Sequence, residues 1–238
     1  LRTGVASLTN FCIVLVLLIG FPAVMRWTGA LPVTEISPRS PQHTRAVLRF
    51  CSVVTGFLWT CFAIALVGIR RRGKITWREL VGAEWGSGKA VLGNLVAALG
   101  ALLTMAVIGN ISNALLGPLQ HDSAAFHLTV AQNAVEAFAF LGAALSAGFV
   151  EEFVFRGYIQ RQFQTLSGNT VVACALQLTI FTLGHFYQGW TRLIPVFLIG
   201  VVLTVVALWR RTLLPGMVAH GLGDGLVALA FFLKHLSG

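Results

Sequence analysis

Residues 134–167 read AVEAFAFLGAALSAGFVEEFVFRGYIQRQFQTLS. Apart from Glu136 the run is uncharged as far as Val150, then meets two adjacent acids, Glu151 and Glu152, and does not stop there. Phe155, Ile159, Phe163 and Leu166 continue at three-to-four-residue spacing, while Arg156, Gln160, Arg161 and Gln164 take the other face. That period belongs to an amphipathic α-helix, and Ser167-Gly168-Asn169 supplies its stop. An apolar run of this length matches the roughly 30 Å hydrocarbon core of a bilayer. The stretch therefore predicts a membrane-spanning helix with ionisable groups part-way along it.

The rest of the chain agrees. Of its 238 residues, 56% are hydrophobic and 11% charged, against about a quarter charged in a soluble domain. Mean hydropathy is +0.81. This excludes a soluble globular domain, a disordered chain, a disulfide scaffold and a soluble nucleic-acid binder. The net charge of +9 does not mark a polyanion partner, because the basic residues sit between apolar runs, as membrane insertion requires. Further spans are expected at 5–25, 46–69, 90–110, 170–186, 194–209 and 214–233. The first is read as a retained span, being longer than the apolar core of a signal peptide and lacking a small-residue cleavage site.

The expected fold is an all-α integral membrane protein, a bundle of about seven transmembrane helices with a polar site inside the C-terminal four. Closed barrels are the other spanning architecture, and these runs do not alternate as barrel strands do. Residues 1–133 hold helices 1–3 and their loops, including a link with Pro32, Pro38 and Pro41 and a segment with Pro118, His121 and Asp122. Residues 134–238 form a core of spans 4–7. Cys12, Cys51, Cys61 and Cys174 lack CxxC or zinc-type spacing and are read as small core residues. With the N-terminus inside, eleven basic residues fall on inner segments, among them Arg70, Arg71, Arg72, Lys74, Arg210 and Arg211, and six on outer ones. That asymmetry predicts N-terminus in and C-terminus out.

Only eight acids occur in the chain, and Glu136, Glu151, Glu152 and Asp224 fall inside apolar helices together with His185 and His220. An ionised side chain at the bilayer centre costs at least ~2.5 kcal/mol, and such groups normally face the bundle interior and mark a site. Glu136, near the outer end of its helix, is read as interfacial or paired. His121, His127 and His235 are read as solvent or headgroup residues.

His220 and Asp224 share a helix face, with Gly216 one turn earlier. Glu152 and Arg156 have the same spacing, acid first, which is the favourable order for a local ion pair. Glu151, turned by about 100°, is left without that partner. Measured up from the inner side, Glu151 stands about 24 Å, His185 about 22 Å, Asp224 about 16 Å and His220 about 10 Å along their helices. If the four converge, a carboxylate general base for water lies beside two imidazoles, one to orient the water and one to stabilise an oxyanion. That is peptide hydrolysis without a covalent intermediate. No Ser or Cys stands beside a His in a nucleophile motif. The same residue types also suit zinc, although the HExxH pattern is missing.

Glu151-Glu152-x3-Arg156, Phe181-x3-His185 and His220-x3-Asp224, in that order on separate spans, resemble the three motifs of the CAAX-processing and bacteriocin-processing (CPBP/Abi) family of intramembrane glutamic endopeptidases. The resemblance covers roughly residues 134–230. It implies that Glu151 activates water and His185 places it. It further implies that His220 and residue 224 form the oxyanion site and that Glu152 with Arg156 braces the helix; Phe181, one turn from His185, is read as a substrate-lining position that packs the wall of the site. No cofactor and no metal is implied.

The last motif often ends in Asn in that family. An ionised Asp224 would repel an oxyanion, so it must be protonated, orient His220 or bind a metal. The implied reaction is hydrolysis of a peptide bond near the C-terminus of a lipidated, CAAX-like or hydrophobic peptide in the cell membrane. Its partners would be membrane lipids and that peptide or protein. Two other readings stay open at this point. One is a zinc-dependent membrane metalloprotease. The other is a non-catalytic scaffold, carrier or bacteriocin-immunity protein, since members of the family are associated with self-immunity; carriers usually carry internal repeats, and none is found here.

Overall fold

The computed structural model of the chain describes residues 4–31, 40–72, 75–82, 87–117, 128 and 131–237. Pro32, Pro38, Pro118, His121, Asp122 and His127 lie outside the described residues, as does the side chain of His235. Among the described residues there are helices and turns and no strand. They are α1 (Leu8–Trp27), α2 (Pro41–Arg72), α3 (Trp77–Val81), α4 (Gly88–Leu116) and α5 (Ala134–Glu151). A π-helical segment (Glu152–Ile159), α6 (Gln160–Ser167) and α7 (Thr170–Gly184) follow. Two 3₁₀ turns, Phe186–Gln188 and Trp190–Arg192, lead to α8 (Leu193–Arg210) and α9 (Leu214–Ser237). Among the described residues six spans are long and apolar enough to cross a membrane, and α9 contributes a shorter apolar stretch, Leu214–Ala230. The protein is an integral membrane helical bundle.

Local chemistry sets the breaks between these helices. The Ser7 and Ser87 side chains cap α1 and α4 by accepting from Asn10 N and Ala90 N. Thr76 and Glu79 form a reciprocal capping box on α3, satisfying two orphan amides at once. Gly168 ends α6 in the left-handed conformation at φ 70°, and the Asn169 side chain opens α7 by accepting from Val171 N and Val172 N. A Gly after the last helical residue and an Asn before the next one are what each position requires.

α5 is the central element. It packs most extensively on α9 and also on α2, while α4 and α8 flank α9. At the α5–α9 crossing, a Cβ on Gly148 would strike the backbone of Gly221. Two bare backbones therefore touch where any side chain would hold the helices apart, the usual device for close packing in lipid. Outward-facing positions such as Val16, Ile19, Leu95, Leu99, Phe138 and Val205 are exposed and apolar, as a lipid-facing surface must be.

The chain between 151 and 167 differs from its expected form. Over Glu152–Ile159 it is a π-helix rather than an α-helix, and α6 resumes the expected α-helix from Gln160 to Ser167. All eight residues of the π segment are buried, and Arg156 and Gln160 are as enclosed as Phe155 and Ile159. Polar and apolar faces both meet protein here, because α1, α2, α3 and α7 surround the segment. Helix periodicity reports two faces but not what each one touches.

One end of the bundle is held by polar pins. The Gln162 side-chain amide pairs with both backbone groups of Ala6 at 3.2 and 3.3 Å. Arg161 donates to the carbonyls of Glu79 and Leu80 at 3.2 and 3.1 Å, and Leu213 N donates to Val81 O at 2.8 Å. The opposite end of α5 carries Glu136, which is fully buried rather than interfacial. Its carboxylate accepts from Thr44 Oγ1 at 2.6 Å, Gln132 N at 2.7 Å and Asn133 Nδ2 at 2.9 Å, and meets His43 Nδ1 at 3.2 Å.

Candidate active site

Glu151 ends α5 and is buried at the middle of the bundle. Its Oε2 lies 4.0 Å from His185 Nε2 and 4.0 Å from His220 Nε2, and has no direct hydrogen-bond partner among the described residues. A separation of 4.0 Å is too long for a hydrogen bond. It suits one water molecule bonded to both groups. Beside them is a cavity of about 30 Å³, lined by Glu151, Phe155, Phe181, His185 and Tyr187 and walled by Leu18, Phe21, Val54 and Phe57 of α1 and α2. Such a volume holds one or two waters.

Each imidazole has a defined orientation. His185 caps α7, and its Nδ1 is 2.8 Å from the carbonyl oxygen of Phe181 one turn back. A carbonyl only accepts, so Nδ1 carries the proton and Nε2 presents its lone pair to the cavity. The Phe181 ring supports the imidazole at 4.7 Å between centroids. His220 Nδ1 is 3.0 Å from Glu152 Oε1, and its Nε2 faces Asp224 Oδ2 at 3.5 Å. The strong partner of His220 is thus Glu152, from a different helix, and Asp224 is a looser one. Spacing along a single helix shows only the second. Asp224 is not embedded: its side chain is 53% exposed at the rim.

Glu152 and Arg156 form the expected pair at 3.0 Å, both fully buried. Arg156 also donates to Gly200 O at 3.1 Å and lays its guanidinium over the Phe181 ring at 4.4 Å. One carboxylate oxygen, Glu152 Oε1, therefore receives both Arg156 and His220. Gly216 leaves the space for it, since a Cβ there would come within 3.0 Å of Glu152 Oε2. Arg156, Glu152 and His220 make one charge-assisted chain that ends 4.0 Å from Glu151 Oε2. Among the described residues no group of three or more His, Cys, Asp or Glu has the arrangement of a metal site.

The structure brings Glu151, His185, His220, Glu152, Arg156 and Phe181 together, with Asp224 at the edge. Residues 133–226 match the family model described as type II CAAX prenyl endopeptidase Rce1-like. Over that segment the chain is similar to this family. No curated protein and no solved structure matches the chain. The Rce1-like segment begins at the Asn133 cap of α5 and includes every polar residue of the site, while the helices before α5 lie outside it. Sequence reading missed Tyr187, which lines the cavity beside His185. Its one signal was scarcity, the chain having two tyrosines. It also missed the α1 and α2 side chains that wall the cavity, since nothing in their composition separates them from lipid-facing residues.

Proposed function

We propose that the chain is an intramembrane endopeptidase of the glutamic type, in which Glu151 activates water against a peptide bond near the C-terminus of a prenylated, CAAX-like or hydrophobic peptide. The observation that carries this reading is the equal 4.0 Å separation of Glu151 Oε2 from two ring nitrogens. A water between them donates one O–H to Glu151 and the other to the lone pair of His185 Nε2, leaving its oxygen electron pair for the carbonyl carbon. The proton passes to Glu151 as the C–O bond forms, and the carbonyl π pair moves onto oxygen. Collapse breaks the C–N bond, and Glu151 returns the proton to the departing nitrogen. Water and peptide bond become carboxylic acid and amine.

His220 faces the developing oxyanion with Nε2. Since Nδ1 donates to Glu152, that nitrogen donates only when the ring carries both protons. Glu152 and Arg156 position His220, and Phe181 floors the site. The basic end of the bundle, with Arg70, Arg71, Arg72, Arg210 and Arg211, is read as the cytoplasmic side, leaving the C-terminus outside. Membrane lipids and the peptide are the partners in this reading.

The test is cleavage of a farnesylated peptide ending in a CAAX sequence, beside its unlipidated counterpart, by purified protein in detergent or vesicles. Glu151→Gln is expected to lower kcat by roughly 10²–10⁴ with the fold intact. Activity should survive a chelator after metal analysis shows no bound zinc. Full turnover by the Gln variant would defeat the mechanism, and loss of turnover to the chelator would replace it with metal catalysis.

A further inference from the structure

We propose that Tyr187 is the second oxyanion donor of this site, its phenolic O–H supplying the hydrogen bond that an Asp224 carboxylate cannot. The proposal rests on the endopeptidase reading above. Transition-state oxyanions are held by donors aimed at the place where charge develops. His220 Nε2 supplies one such donor. The next residue on its face, Asp224, has only acceptors when ionised. A second donor has to come from elsewhere on the cavity wall.

Tyr187 is the residue so placed. It lines the cavity with Glu151 and His185, and its phenol lies within electrostatic range of both the Glu151 and the Asp224 carboxylates. Its oxygen accepts from Gln188 Nε2 at 3.1 Å, so the phenolic proton is still to be given, and no described residue receives it. Tyr158, the other tyrosine, has already given its proton to Asn10 Oδ1. The Tyr187 ring is held from three sides. It stacks on His185 at 6.2 Å and 25°, meets Phe21 of α1 edge-on at 5.5 Å, and touches Phe50 of α2 at 6.1 Å. Such a ring presents a pre-aimed donor and needs little ordering when charge appears.

In the reaction the phenol keeps its proton. Water's oxygen bonds to the carbonyl carbon, Glu151 takes the water proton, and the π pair becomes an oxyanion held by His220 N–H and Tyr187 O–H. Both hydrogen bonds weaken as the carbonyl reforms and the amine leaves with the proton from Glu151. The assignment gives α1 and α2 a part in the chemistry, since Phe21 and Phe50 fix the ring. It also accounts for an acidic residue at 224: with the phenol donating, residue 224 need not supply a donor, and His220 is oriented by Glu152 through Nδ1.

The experiment compares wild type, Tyr187→Phe, Asp224→Asn, the Tyr187→Phe/Asp224→Asn double variant and Glu151→Gln on a farnesylated, fluorophore-quenched CAAX peptide, with thermal unfolding in detergent as the folding control. Phe keeps every ring contact and removes only the hydroxyl. Tyr187→Phe is expected to lower kcat by about 10²–10³ with KM within about twofold of wild type. The double variant should recover at least tenfold over Tyr187→Phe alone, because the Asn amide donates where the phenol did. A Tyr187→Phe kcat within twofold of wild type, or a loss expressed in KM alone, would overturn the role of Tyr187 and leave the endopeptidase reading standing. So would a kcat loss that Asp224→Asn does not touch, which would make Tyr187 a support for the His185 ring. Wild type that never cuts the peptide would remove both readings together.

Discussion

Two neighbouring glutamates have opposite fates in this protein. Glu152 is saturated at Oε1 by Arg156 and His220, whereas Glu151 Oε2 is buried with no hydrogen-bond partner among the described residues. Removing one member of a buried, hydrogen-bonded charge pair leaves the other charge uncompensated, a loss of about 3–5 kcal/mol. Glu152→Gln is therefore expected to lower the unfolding temperature markedly in detergent, and to reduce turnover because His220 and Arg156 lose their ionised acceptor. Glu151→Gln should leave the unfolding temperature near that of wild type, since no direct bond is broken. Equal melting behaviour of the two variants would show that the division of labour between them is wrong.

At the level of elements, the joint between α5 and α6 and the crossing of α5 with α9 decide the geometry. The π segment is a wider turn than an α-helix, and such turns are rare and frequent at functional sites. It begins at Glu152, directly after the unpaired acid. The crossing decides how near His220 stands to Glu151. Gly148 and Gly221 let the two backbones meet. Gly148→Ala forces α9 away, with overpacking that costs about 1–3 kcal/mol, and moves His220 with it. The expected outcome is a fall in kcat larger than the fall in stability would account for, measured on protein shown folded by circular dichroism. Unchanged kcat would mean that the crossing distance does not control the site.

For the whole molecule, a second buried polar cluster holds the bundle at a level away from the chemistry. Glu136 and His43 pin the N-terminal ends of α5 and α2, fifteen residues and so about 22 Å along the helix from Glu151. Glu136→Gln must leave at least one of its donors poorly matched, because the amide brings hydrogens where the carboxylate only accepted. A destabilisation of about 1–3 kcal/mol is expected, with kcat per folded molecule unchanged. A large kcat effect at full folding would show that the two levels are coupled. α1 and α2 belong to the site although the Rce1-like match begins at residue 133, because Phe21, Val54 and Phe57 close the cavity around Glu151.

The bundle was legible from composition and run length, because lipid demands long, uninterrupted apolar helices and rewards few alternatives. The span limits agree with the helices to within six residues, and Gly168-Asn169 marks its turn as local chemistry requires. Ionisable residues placed in lipid pointed to a candidate site, since burying them without a purpose is unfavourable, and helix spacing paired Glu152 with Arg156. What spacing along one helix cannot contain is contact between helices. The bond from Glu152 to His220, the exposure of Asp224, the equal reach of two imidazoles to Glu151 and the arrival of Tyr187 all depend on how separate helices cross and rotate. Those angles come from side-chain and glycine packing summed over the whole bundle, which no single segment of sequence records.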